Sequence, residues 1–292
     1  MEWGAEQLSN IGITPTTPVT SADLAEGPGA AAQTLAWRRD SLRQLLPVGT
    51  TLALLGLWEL LARTGVLPQQ VPALTEVVGF LASQLPQAAF WTALGLTAWH
   101  WFAGLLIGGL IGIVLGVMIG VAPFLQRLLT APLEFLRPIP PIVYLPLFLL
   151  VMGARSQTAI ILVSVSTLWP MLFQAVYGVH AIDPQAIETG KVFGLSARQR
   201  LWSITLPSLL PYLATGLRIS SSLALIVAVS IELVGGVPGL GAELATYAQN
   251  GVYKGMYSVL LVAGVFGLLL NGVLERTEKR LLHWHVSHRV GS

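Results

Sequence analysis

Few residues of this chain could carry chemistry, and they lie scattered through apolar sequence. Glu232 closes a long apolar run, directly before Leu233-Val234-Gly235-Gly236. An ionisable group at membrane depth is costly and usually faces a cavity or a partner. Its carboxylate could line a pathway, brace an outer gate, or accept hydrogen bonds from the Gly-rich backbone that follows. The last use is the simplest, because a carboxylate is a poor direct ligand for an anion. Ser220, Ser221 and Ser222 supply hydroxyls to a pathway or bond their own helix carbonyls. His100 stands between Trp99 and Trp101, which suits anchoring at a membrane interface, with contact to an anion as a second use. His283, His285 and His288 look like a metal site. On a helix, however, positions two apart point about 200° away from each other, so metal ligation is not expected. Zero cysteines remove thiolate metal sites, disulfides and a cysteine nucleophile. Nothing here groups as catalytic residues must, and none is assigned.

The elements that must position these groups are membrane helices. The chain is 54% hydrophobic and only 10% charged, against about 25% for soluble domains. Its mean hydropathy is +0.71. Several runs reach the roughly 20 residues that a bilayer-crossing helix needs. Six spans are expected near 45–66, 94–120, 132–152, 157–179, 213–235 and 257–279, an all-α integral membrane fold embedded in the lipid bilayer. A net charge of +2 is too small to suggest nucleic acid. Residues 1–40 read as a disordered tail, with four acids (Glu2, Glu6, Asp23, Glu26) and no basic residue before Arg38. The transmembrane domain is expected over 41–285 and a short tail over 286–292. In the second span Gly104, Gly108, Gly112, Gly116 and Gly120 recur every fourth residue. Such a stripe allows another backbone to approach closely, from the same subunit or from a second copy.

Basic residues give an orientation. Arg38, Arg39, Arg43, Arg127, Lys191, Arg198, Arg200, Arg218, Arg276, Lys279, Arg280 and Arg289 fall on one side, with Arg137 near the start of the third span. Only Arg63, Arg155 and Lys254 fall on the other. By the positive-inside bias both termini and the connection between the fourth and fifth spans are expected in the cytoplasm.

That connection, residues 180–207, reads as two short helices and a corner. Asp183 suits an N-cap and Pro184 the first helical position. Gly194 suits a left-handed helix end, with Leu195 as the apolar residue beyond it. Ser196-Ala197-Arg198-Gln199 has the form of a capping box. Pro207 and Pro211 are expected to turn the chain into the fifth span. Ile187, Phe193, Leu195, Leu201, Trp202, Ile204 and Leu206 give the insert an apolar side that can pack on its own helices or dock on a partner.

The spacing of this insert resembles the cytoplasmic loop of ABC importer permeases, E-A-A-x3-G-x9-I-x-L-P. Here it runs Glu188-Thr189-Gly190, Gly194, then Ile204-Thr205-Leu206-Pro207, with three and nine residues between the anchor points. Thr189 and Gly190 replace the two alanines and remain small. The resemblance implies a type I permease fold whose loop docks in a cleft of a separate ATPase. The segment Gly194 to Ser196 would enter that cleft, and Glu188 with Arg198 or Arg200 would hold the two helices or the partner.

Trp58-Glu59-Leu60-Leu61, Leu136-Arg137-Pro138-Ile139-Pro140-Pro141 and Pro238-Gly239-Leu240-Gly241 are similar to permeases of the nitrate/sulfonate/taurine group. Pro138, Pro140 and Pro141 lack N–H donors, so that segment is expected to be irregular at membrane entry. Gly239 and Gly241 lack a following Gly-Lys-Ser/Thr and a preceding soluble strand, so they read as a re-entrant or gate-flanking element and not as a phosphate loop. The resemblance implies the permease subunit of an ATP-driven importer of sulfonates or nitrate-like anions in a bacterial inner membrane. ATP and Mg would belong to a pair of ATPase subunits, a solute-binding protein would deliver the cargo, and a second copy would complete the pathway. An ion-coupled secondary transporter would show paired intramembrane charges between inverted halves, and a polytopic enzyme would show clustered acids, His or Ser. The sequence shows neither.

Overall fold

The protein is described from a computed structural model covering residues 30–281. Helix α1 spans Ala30–Arg63, α2 Leu74–Gln84, α3 Ala88–Val121 and α4 Pro123–Leu136. A 3-10 turn at Pro141–Tyr144 leads into α5, Leu145–Met152, followed by α6 at Ser156–His180. Next come α7, Pro184–Val192, α8, Ala197–Arg200, and a π-turn at Leu201–Thr205. Helices α9, Leu206–Gly235, α10, Leu240–Gln249, and α11, Tyr253–Leu281, complete the fold. Among the described residues there is no strand. By contacts the chain divides into Met1–Leu60 and Leu61–Ser292. The first unit contains most of α1, whose helix begins at Ala30 and so enters the stretch 1–40 read as tail. Its start at Ala30-Ala31-Ala32 fits the high helix propensity of alanine. Residues 1–29, the tail at 286–292 and the histidines 283, 285 and 288 lie outside the described residues.

Among the described residues five helices are long and apolar enough to cross a membrane, and six spans result if the bent pair α4 and α5 counts as one. That pair corrects the expectation of a single helix over 132–152. The chain breaks at Arg137-Pro138-Ile139-Pro140 and the axes differ by 76°. Three prolines within four positions withhold the N–H groups a continuous helix would need.

In the second unit, α6 is the most enclosed span, packed between α3 and α9. The glycine stripe of α3 explains the closeness on one side. A Cβ at Gly108 would overlap the Ser164 carbonyl, and one at Gly112 would lie 2.6 Å from the Leu168 carbonyl oxygen. The neighbour admitted by the stripe is therefore α6 of the same subunit. The Thr167 hydroxyl lies 3.1 Å from the Gly104 carbonyl. On the other side, Ser220 of α9 donates to the Thr167 carbonyl at 3.1 Å. Leu105, Leu162, Val163, Ala224 and Ile231 form the buried centre. Tight packing of small residues and interhelical hydrogen bonds hold helices together where lipid removes the hydrophobic drive between them.

Candidate functional site

The connection between α6 and α9 is organised by local turn chemistry. The Asp183 carboxylate accepts from the Gln185 backbone N–H at 2.8 Å, and Pro184 opens α7. At its other end Gly194 adopts φ +71°, a left-handed conformation that favours glycine. Gly194 N–H donates to the Lys191 carbonyl and Leu195 N–H to the Gly190 carbonyl, both at 2.9 Å. Two otherwise orphaned helix carbonyls are satisfied in this way. The capping box at Ser196 then opens α8: Ser196 N–H donates to the Gln199 carboxamide oxygen at 2.8 Å, and Gln199 N–H to the Ser196 hydroxyl at 3.3 Å. The chain thus ends one helix, reverses and starts another within four residues.

Gly190 is buried where the two helices cross, and a Cβ there would lie 2.8 Å from Ile204 Cδ1. The motif positions Gly190 and Ile204 therefore touch each other. Glu188 pairs with Lys191 on its own helix at 2.6 Å. It does not join Arg198 or Arg200, which form no ion pair among the described residues; Thr189, Arg198 and Ser196 are exposed and Arg200 is half-buried. The apolar residues of the insert separate into two groups. Ile187, Leu195, Ile204 and Leu206 are half-buried, while Phe193 is 80% and Trp202 61% exposed, with Val192 beside them. Packing within the chain satisfies the first group only.

The expected turn at Pro207 and Pro211 is absent. Helix α8, the π-turn and α9 form one helical run, Ala197–Gly235. Pro207 falls in the first turn of α9, and the wider π-turn, with Leu206 N–H donating to the Leu201 carbonyl, precedes the missing donor. Pro211 lies within α9, where the Thr215 hydroxyl donates to its carbonyl at 3.0 Å.

A second cluster forms at the opposite end of α9. Glu232 is fully buried. Its Oε2 accepts from the Thr97 hydroxyl at 2.8 Å and from the Gly241 backbone N–H at 3.0 Å. Its Oε1 lies 2.8 Å from His100 Nδ1. Where Nδ1 donates to this carboxyl oxygen, Nε2 is the ring nitrogen left over. That Nε2 is buried and has no partner among the described residues. The Thr97 hydroxyl also accepts from Leu240 N–H at 2.9 Å, so both strands of the contact reach the start of α10. Only glycines allow the chain to wrap so closely. A Cβ at Gly239 would overlap the Glu232 carboxyl, and one at Gly241 would lie 2.7 Å from Glu232 Cβ.

The structure thus brings together Glu232, His100, Gly239 and Gly241, and it adds Thr97, which sequence reasoning missed. Thr97 lies three residues before His100 on the same helix face, the only signal available. Ser221 is elsewhere. It is buried farther along α9, its carbonyl accepts from Trp101 Nε1 at 3.0 Å, and it borders a cavity of about 590 Å³ between α9 and α11.

A family model described as "binding-protein-dependent transport system inner membrane component" matches residues 108–283, well over half of the chain. The chain belongs to that family. The permease is 28% identical over 260 residues to the taurine transport system permease protein TauC of Escherichia coli K12, covering 86% of this chain and 94% of the relative. It is 30% identical over 259 residues to the bicarbonate transport system permease protein CmpB of Synechococcus elongatus, covering 84% and 92%. In fold it matches a chain of the MetNI methionine ABC transporter solved in inward-facing form, with a TM-score of 0.59 at 21% identity, covering 66% of this chain and 95% of that one. The permease fold and the transport role read from the loop motif therefore hold.

Proposed function

We propose that this permease carries a small oxyanion, of the taurine, nitrate or bicarbonate kind, inward across a bacterial inner membrane at the expense of ATP hydrolysed on a separate pair of ATPase subunits. The observation that carries the reading is the insert at 180–207. Gly194 and the capping box at Ser196 hold a rigid corner that exposes Phe193 and Trp202, and the motif spacing of this family runs through it. Exposed aromatic side chains beside a fixed turn suit docking into a groove on a partner. Glu188, Thr189, Gly190, Leu195, Arg198, Arg200, Ile204 and Pro207 shape or flank that corner. The bias of basic residues supports a cytoplasmic loop and cytoplasmic termini. A second copy of the chain would complete the pathway, and a solute-binding protein would deliver the anion from the other face.

The test uses the permease reconstituted in proteoliposomes with the ATPase and binding protein encoded with it. Phe193→Asp places a charge on the docking corner without touching the buried contact of Gly190 with Ile204. Loss of ATPase co-purification and of ATP-dependent anion uptake, with an unchanged elution profile of the permease itself, is expected. Wild-type assembly and uptake by this variant would sink the docking role. Uptake that persists without any ATPase would favour an ion-coupled carrier.

A further inference from the structure

We propose that the cavity beside the break at Arg137 is an oxyanion-binding site on the transport route. The inference rests on the reading of this chain as an anion importer and names the residues that would recognise the cargo. The break between α4 and α5 leaves a cavity of about 290 Å³ against α6 and α9. A single water needs about 15 Å³ of such space, so a small anion fits there with part of its hydration. The Arg137 guanidinium carbon sits 4.5 Å from the centroid of the Phe173 ring. Stacking of this kind occupies the face of the guanidinium and leaves its N–H edge free to fork onto two oxygens.

Charge and donor accounting then point to an anion. Among the described residues no carboxylate pairs with Arg137, whereas Arg218 on α9 is paired with Glu278 of α11. No Asp or Glu lines the cavity. Trp169, Gln174 and Tyr177 of α6 do line it, and their indole, amide and phenol groups make no hydrogen bond among the described residues. Pro138, Pro140 and Pro141 remove backbone N–H groups from the facing wall, so recognition falls to these side chains. Phe173 lies seven residues from the His180 end of α6, about 10 Å along the helix, and Ser166 ten residues from the other end, about 15 Å. The cavity therefore reaches from mid-helix toward the end that bears the docking loop. An arginine at this depth needs water, a counter-ion or a ligand to offset its cost. A cavity lined by an arginine and three neutral donors without partners among the described residues, and by no acid, suits an anion in passing.

Two sources could supply the oxygens: a transported solute or a lipid phosphate. The test uses proteoliposomes of the complete transporter and labelled taurine, nitrate and bicarbonate. Arg137→Gln is expected to slow uptake of the carried anion by at least about tenfold, the scale of a lost charge-assisted hydrogen bond. Arg137→Lys should fall between, since an ammonium keeps the charge without the fork. Stimulation of ATP hydrolysis by the loaded binding protein should stay within about twofold of wild type, which would show that assembly and coupling survive. Uptake by Arg137→Gln within about twofold of wild type would overturn the site as one for the transported solute. Where Arg137→Gln fails to assemble, Trp169→Phe and Tyr177→Phe each remove one neutral donor, and wild-type uptake by both would overturn it. If the wild-type transporter carries none of the three anions, the oxyanion reading falls and the site falls with it. Wild-type transport with an indifferent Arg137→Gln refutes the site alone.

Discussion

Glu232 offers the sharpest test of how the start of α10 is held. Replacing it with alanine strands the Gly241 N–H and the His100 ring N–H, while the Thr97 hydroxyl retains the Ala93 carbonyl at 3.2 Å. Each buried donor left unsatisfied costs about 1–3 kcal/mol, so a local loss of about 3–4 kcal/mol follows. Glutamine should behave differently. Its carboxamide can turn its oxygen toward Thr97 and Gly241 and its NH2 toward His100. The imidazole then answers by moving its proton to Nε2, so that Nδ1 accepts. The charge assistance is lost, and the buried, unpartnered Nε2 changes from acceptor to donor, at a combined cost of about 1–2 kcal/mol. Hydrogen exchange at the Leu240 and Gly241 amides, read by mass spectrometry on the permease in nanodiscs, separates the two cases. At about 1.4 kcal/mol per tenfold, Glu232→Ala should speed exchange about 100- to 1000-fold and Glu232→Gln about 5- to 30-fold. Equal acceleration by both variants would refute the tautomer argument. No acceleration by either would refute the claim that this carboxylate holds α10.

Adjacent glycines in α3 should respond in opposite ways. Gly108→Leu meets the Ser164 carbonyl and should leave no folded permease on size-exclusion chromatography, whereas at Gly109 the nearest atom to a Cβ is Met171 Cγ at 3.9 Å, so Gly109→Ala should be recovered at wild-type yield. At Gly194 nothing lies within 4 Å of a Cβ, yet φ is +71°, so Gly194→Val should cost about 1–2 kcal/mol through backbone strain alone and reduce ATP-dependent uptake while the spans keep their thermal midpoint. Gly190→Leu must displace Ile204, whose Cδ1 lies 2.8 Å from the Cβ position; uptake should fall, and Ile204→Ala in the same chain should restore part of it by making room.

What could be read in advance was local. Asp183, Gly194 and the Ser196-Gln199 pair declare their turns through bonds that span five residues or fewer, and the structure forms each of them. Pro138, Pro140 and Pro141 announced an irregularity, but an apolar composition continuous across them hid a bend of 76°. Pro207 and Pro211 suggested a turn because proline withholds a donor; Pro207 instead sits in the first turn of α9 behind a π-turn, and Pro211 is carried inside that helix. The partners of Glu232 were out of reach for a different reason. His100 and Thr97 stand 132 and 135 residues away in sequence, and no periodicity connects positions so distant. The glycine stripe had the same character: its spacing predicted a close neighbour, and only the fold could show that the neighbour is α6.

The helical run from Ala197 to Gly235 joins the two clusters physically. At 39 residues it extends about 58 Å, with the capping box immediately before one end and Glu232 one turn from the other. An α-helix of packed side chains resists bending, so a displacement imposed at the corner would move the rod as a whole unless it yields at its weakest point. That point is the π-turn at Leu201–Thr205, where the hydrogen-bond register widens and Pro207 follows within two residues. Ile204 lies in this turn and touches Gly190, so α7 buttresses the run at the place where it would otherwise flex. Gly190 and Ile204, two anchor positions of the motif, are thus the pair that stiffens the joint, and Gly194 shapes the corner that would receive the push. At the far end the rod is tied by Glu232 to α10 and to α3, and Arg137's cavity borders it midway. A partner acting on the loop would therefore act, through a single element, on the wall of the candidate anion site and on the anchorage of the far-end helix.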